Sequence, residues 1–184
     1  MIWAAPPCLT FSICRFKSTR TPGGGPPIIR RRQEGQATGT RDVPLKNHRE
    51  LKISNELTSR TVAILRAGFD AESECGLENP VDAGNEEHPE HLVDREHAPL
   101  WLMPEVIAFN RHAGCREVTF PQCSFGSIYR KMTTFLLTPA LGHILGDLNN
   151  LRCTHTHRMS NARVEKETHK VSGTRRQPPA TRQT

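Results

Sequence analysis

Between residues 54 and 148 the apolar pattern switches period several times, and that alternation restricts the chain to few architectures. Leu57, Thr61, Ile64 and Leu65 recur at helical spacing and Gly68 offers a stop, which predicts a helix over about 54–67. A short strand at 75–77 should follow. Residues 100–113 read as a second helix with Pro104 best placed in its first turn, and 116–122 alternate like a strand. Residues 133–138 form another β-branched and apolar run, and 141–148 a further short helix. Helix, strand, helix, strand is the order of an α/β fold. Ahead of it, the apolar run at 2–5 closed by Pro6-Pro7 reads as the end of one more strand.

Composition limits how much of the 184 residues can pack. Apolar residues make up 35% and fourteen prolines interrupt the chain, so a compact middle with loose ends is expected. Residues 18–49, rich in Gly, Pro and Arg without an apolar period, read as a basic loop. Residues 81–99, acidic and bounded by proline, read as an exposed insertion, and 159–184 as a disordered basic tail. The net charge of +6 is distributed in three blocks, +8 over residues 1–69, −10 over 70–105 and +8 over 106–184. Two basic blocks suit a polyanion such as DNA by counterion release, while scattered Lys and Arg also simply keep a marginal chain soluble, so charge alone does not choose between them.

Six cysteines without a CxxC pair point to a reducing compartment. The apolar start lacks a basic leader and is split by prolines, and no stretch reaches the ~18 apolar residues of a membrane helix. An intracellular chain that makes no use of a membrane is expected, nuclear if DNA is its partner.

Four constellations could do chemistry. In Pro6-Pro7-Cys8-Leu9-Thr10-Phe11-Ser12 a cysteine directly follows a strand, at the carboxyl edge where open α/β sheets place their sites. A thiolate there, with Arg15 nearby, could add to an electron-poor ring carbon; a small buried structural thiol is the alternative. Glu78-Asn79-Pro80 ends another strand, and its carboxyl could hydrogen-bond a ring nitrogen or simply be a solvated loop acid. Phe125-Gly126 followed by Arg130-Lys131 offers a glycine turn with two cations, either a phosphate clamp or a plain surface hairpin. Cys153-Thr154-His155-Thr156-His157 alternates three ligand types at a spacing unlike a zinc finger, and no metal is expected to be bound.

Taken in order, these fragments resemble cytosine carbon-5 DNA methyltransferases. The Pro6 to Ser12 segment is similar to that family's Pro-Pro-Cys-Gln-x-Phe-Ser nucleophile loop, with Leu9 in place of the glutamine, and Glu78-Asn79-Pro80 is similar to its Glu-Asn-Val triplet. The resemblance implies that Cys8 attacks cytosine carbon 6 and that Glu78 contacts cytosine N3. Lys131 and Thr133 fall near the two arginines of the family's later Gly-x-Pro-Gln-x-Arg-x-Arg stretch. A divergent branch of retroelement-associated and protist proteins looks closer, pairing Pro-Pro-Cys-x-Thr and Gly-Gly-Pro-Pro with Glu-Asn-Pro, Leu-Trp and Cys-x-Phe-Gly. Here these are Cys8, Gly24 to Pro27, Glu78 to Pro80, Leu100-Trp101 and Cys123 to Gly126.

The expectation is therefore a partial Rossmann-like methyltransferase sheet over 1–158, with Cys8 and Glu78 catalytic and Arg15, Arg30, Arg130 and Lys131 contacting nucleic acid. The family binds S-adenosylmethionine through a Phe-x-Gly-x-Gly turn ahead of the cysteine loop, and only seven residues precede Cys8. This reads as an N-terminally truncated, degenerate enzyme that holds no cofactor and is inactive alone, with a complementing N-terminal half as a further partner. The same residues also fit a non-catalytic basic nucleic-acid-binding protein, or a reading frame without selected function.

Overall fold

The computed structural model describes residues 1–16, 26–127 and 131–154. It is a mixed α/β fold with one four-stranded sheet and three helices. The strands are β1 (Ile2–Ala4), β2 (Cys75–Pro80), β3 (Arg116–Pro121) and β4 (Met132–Leu137). The helices are α1 (Leu45–Asp70), α2 (Pro104–Ala113) and α3 (Pro139–Leu145). The sheet order is β1-β2-β4-β3.

β1 is parallel to β2, and β4 runs antiparallel to both β2 and β3. β1, β2 and β3 therefore share one direction and present their carboxyl ends on one edge. α1 makes the crossover that the parallel neighbours β1 and β2 require, and α2 connects β2 to β3, between which β4 is inserted in the sheet.

The two faces of the sheet are covered differently. On one, Val62 and Leu65 of α1 and Val106 and Phe109 of α2 pack with Leu77 and Leu136. On the other, Val118, Phe120 and Leu137 lie under Leu141, Leu145 and Leu148 of α3 and the turn after it. Trp3 is on this second face, its ring lying over Gly76, where a Cβ would come within 2.3 Å of the ring.

Several boundaries differ from the sequence reading for physical reasons. α1 begins nine residues before the expected start at 54, directly after Pro44, and its buried residues are Thr58, Val62, Leu65 and Gly68. Leu57 and Ile64, read as part of the core stripe, are exposed. The basic loop consequently ends before α1 at Leu45, and within its described residues Ile29 and Arg30 are buried.

The acidic stretch 81–99 is exposed mostly between 86 and 96 and is anchored at both ends. Ala83, His97 and Ala98 are buried, because the carbonyl of Ala83 accepts the Val93 and Asp94 N–H groups and its own N–H donates to His97 Nδ1 (3.2 Å). α2 starts at Pro104 rather than Leu100, since a 3-10 turn at Leu100–Leu102 precedes it. It stops at Gly114 in the left-handed conformation. The tail expected over 159–184 lies outside the described residues, and no described helix is long and apolar enough to cross a membrane.

Candidate functional site

The Cys8 loop leaves β1 at Pro6-Pro7, where missing N–H groups prevent further pairing. Asn79 on β2 donates from Nδ2 to the carbonyl of Pro6 (3.1 Å). Cys8 itself is half-buried and begins the turn Leu9–Phe11, of which Phe11 is buried and Leu9 exposed. The turn is held from three sides. Thr10 hydrogen-bonds Ser54 of α1 at 2.6 Å. His97 Nδ1 accepts from a backbone N–H, so its Nε2 carries the proton and donates to the carbonyl of Phe11 (2.8 Å). The Arg30 guanidinium covers the Phe11 ring, 4.1 Å from its centroid.

Arg15 and Arg30, expected to meet nucleic acid, are instead internal braces of this loop. Arg15 donates to the carbonyls of Leu9 (3.0 Å) and Pro27 (2.9 Å) and pairs with Glu50. Arg30 is 1% exposed and donates to the carbonyl of Ala37 (2.6 Å), Asn55 Oδ1 (2.7 Å) and Ser54 Oγ (3.2 Å). Among the described residues no carboxylate lies within ion-pair distance of it. Burial lowers its pKa to about 10, against the opposing field of Glu105. The cause of both departures is the same: loop carbonyls turned inward, away from water, need donors, and a guanidinium satisfies several at once.

Glu78 stands on β2 one residue before Asn79, so the two side chains point to opposite faces of the sheet. Asn79 braces the cysteine loop while Glu78 lies on the Trp3 face. Its Oε1 accepts from Thr133 Oγ1 (2.8 Å) and Lys131 Nζ (3.4 Å), and Thr133 in turn accepts from Gln122 Nε2 (3.1 Å). Lys131 thus meets Glu78 as an ion-pair partner, and it is half exposed. Arg130 lies outside the described residues.

The register pairs Ala4 with Leu77, which carries Glu78 and the Pro6-Pro7-Cys8 turn to neighbouring carboxyl ends. Trp101 Nε1 donates to the carbonyl of Pro80 (3.0 Å), so the Glu-Asn-Pro and Leu-Trp segments touch although about twenty residues separate them. Sequence reasoning missed Thr133 and Gln122 as supports of Glu78, and His97 as a support of the loop. Only the strand register and the return of the 81–99 segment bring them there.

A cleft of about 980 Å³ opens beside this edge, lined among others by Asp82, His88, His91, Trp101, Glu117 and Thr134. Neither Cys8 nor Glu78 lines it. Burial raises the Glu117 carboxyl above the usual range. For Asp82, burial alone would raise the pKa, but hydrogen bonds from Arg32 and the Gly84 N–H outweigh it and the net shift is downward.

A depressed carboxylate stabilises above its unfolded pKa, roughly 4, and that stability is lost as pH falls through the folded value. Residues 81–97 are therefore expected to become protease-sensitive only as pH falls below about 4, before global unfolding, with Asp82→Asn abolishing the pH dependence. Equal cleavage of wild type and variant at every pH would refute it.

Among the described residues no three His, Cys, Asp or Glu side chains are grouped to hold a metal ion, and His155 and His157 lie outside them. For S-adenosylmethionine, which the resemblance implies for the complete family, the turns beside the described strands offer no cradle. β1 runs directly into Pro6-Pro7, and the glycine that follows β2 is not free to cradle a ligand. A Cβ on Gly84 would meet the carbonyls of Asp94 and His97 at 2.9 Å, so that backbone is closed in by its own segment. The described residues do not fit the cofactor. Compared with protein-family models, curated protein sequences and solved structures, the chain gives no match.

Proposed function

We propose that this chain is a cytosine carbon-5 methyltransferase-like protein that captures a pyrimidine of DNA covalently through Cys8 and does not transfer a methyl group by itself. The observation that carries the reading is the shared edge. β1 and β2 are parallel neighbours, and they bring Cys8 and Glu78 to adjacent carboxyl ends, where Rossmann-like sheets bind their ligands. A second support is that Lys131 and Thr133, near the family's two arginine positions, both bond Glu78.

In this reading the Cys8 thiolate adds to carbon 6 of a base turned out of the duplex, and a carbon–sulfur bond forms. The displaced ring electrons move toward N3, which takes a hydrogen bond or proton from the Glu78 carboxyl. Thr133 and Gln122 fix the carboxyl; Arg15, Arg30 and His97 fix the turn that bears the thiol. Without a methyl donor the adduct reverses by elimination of the thiolate.

A duplex carrying pyrimidin-2-one in place of cytosine tests this, because that ring is more electrophilic at carbon 6 and its adducts persist without methyl transfer. Denaturing electrophoresis and peptide mass analysis should find the adduct on Cys8, absent in Cys8→Ser and retained in Cys14→Ser. No adduct, or one on Cys14, overturns the reading.

A further inference from the structure

The first turns of α1 and the segment before them gather cations that no carboxylate neutralises. Elsewhere on the surface Arg31, Arg60, Arg66, Arg95 and Lys131 each pair with a carboxylate. Arg41, Lys46, Arg49 and Lys52 are all exposed, and among the described residues none of them has an ion-pair partner. Three of these charges also oppose the helix that carries them. α1 is 26 residues long, its N-cap Pro44 makes no side-chain bond, and its first turn holds no acid. The partial positive charge at a helix start favours an anion there, so Lys46, Arg49 and Lys52 add like charge where the opposite is wanted.

A cavity of about 300 Å³ lies between these turns and residues 40–43, lined among others by Thr40, Arg41, His48 and Lys52. Among the described residues no carboxylate lines it. His48 is fixed in place, since its Nε2 donates to the carbonyl of Val43 (2.8 Å). Thr40 is 8% exposed, and its hydroxyl has no hydrogen-bond partner among the described residues. Buried hydroxyls are ordinarily bonded, and an anion in the cavity supplies the acceptor that this one lacks.

The cavity stands beside the Cys8 turn. Ser54, which hydrogen-bonds Thr10, and Glu50, which pairs with Arg15, belong to the same two turns of α1 as His48 and Lys52. Those turns lie at the carboxyl edge of β1, while Gly68 near the other end of α1 packs against Ile2. The Cys8 turn and the cavity are then about one helix diameter apart, roughly 10–12 Å. That is three to four base-pair steps of about 3.4 Å.

We propose that this cavity holds a backbone phosphate of the DNA whose base is presented to Cys8, with Arg41 and Lys52 as its charged contacts and Thr40 as a hydroxyl donor. The proposal rests on the reading of this chain as a DNA-capturing protein. It moves the nucleic-acid contact from Arg15 and Arg30, which are engaged by loop carbonyls, to cations without partners. Lys46 and Arg49, farther round the helix, add to the field that draws the strand in. Apart from Leu45, the exposed apolar side chains of α1, Ile53, Leu57 and Ile64, stand about half a turn round the helix from His48. A lipid surface requires apolar groups beside the charge, whereas a phosphodiester requires only the charge.

Equilibrium binding of a labelled, unmodified duplex across a range of salt tests this, with the full chain carrying Cys8→Ser to remove the covalent step. Arg41→Gln and Lys52→Gln should each flatten the slope of log K against log salt by about 0.9, which weakens binding about eightfold at ~0.1 M salt, whatever the duplex sequence. Arg111→Gln, an exposed cation in the last turn of α2, should change neither quantity. Slopes unchanged by both cavity substitutions, or no duplex binding at low salt, overturn the proposal. Binding to anionic phospholipid vesicles but not to the duplex overturns it as well and assigns the surface to a membrane. If the cavity substitutions act as expected but the wild type forms no adduct on Cys8, the phosphate contact stands and only the covalent reading fails.

Discussion

Replacing Arg30 by methionine is expected to lower the stability of the fold by about 3 kcal/mol or more, the largest single loss among the basic residues. The side chain is 1% exposed, and the substitution leaves the Ala37 carbonyl and Asn55 Oδ1 without their donor. Each unmet buried acceptor costs about 1–3 kcal/mol, and the gap over the Phe11 ring adds a cavity cost. Relief of the buried charge works in the opposite direction, since no carboxylate contacts Arg30 among the described residues. Two stranded acceptors and a void outweigh it, because the group is ionised at neutral pH and already bonded on several sides.

Arg15→Met should cost less, for its ion-pair partner Glu50 is about a third exposed and can turn to water. Urea unfolding followed by circular dichroism measures both. If the Arg30 variant loses less than about 1 kcal/mol, the guanidinium is not the brace described. Since the Cys8 turn rests on the same contacts, alkylation of Cys8 should become faster in the Arg30 variant while that of exposed Cys14 does not change.

Glu78→Gln should slow capture of the pyrimidin-2-one duplex by about 10²- to 10³-fold while leaving the fold intact. Glutamine retains an oxygen to accept from Thr133, so the bond that orients the side chain survives. What is lost is the acid that stabilises the negative charge moving onto the ring nitrogen, a contribution that general acids make on this scale. Stopped-flow or quenched electrophoretic assays give the rate, and a urea midpoint close to wild type separates this from misfolding. Thr133→Val provides the complementary case. It keeps the carboxyl but frees it to rotate, so a smaller loss is expected. A Glu78→Gln variant that captures the probe at the wild-type rate would remove Glu78 from the chemistry while leaving Cys8 in it.

The α/β order was legible because local patterns encode it. Pro104 at the first turn of α2 and Gly114 past its end act through backbone geometry that neighbours cannot override. The β-branched run at Met132–Leu137 and the alternation at Arg116–Pro121 likewise declare strands. The placement of Cys8 after β1 and of Glu78 on β2 followed from those elements, and so did their common edge.

What the sequence could not specify was which side of α1 would be buried, since Leu57 and Val62 are equally apolar and only the position of the sheet chooses between them. Nor could it tell a phosphate-binding arginine from a structural one. Arg30 sits in the Gly- and Pro-rich basic loop and Arg15 just ahead of it, yet the chain folds so that the carbonyls of Pro27 and Ala37 face inward and need donors. The antiparallel insertion of β4 between β2 and β3 brings Thr133 and Lys131 to Glu78. Such pairings join residues more than fifty positions apart. They depend on register and topology, which are properties of the assembled sheet, whereas helix ends, strand periods and turns depend on a few consecutive residues and were therefore written in the sequence itself.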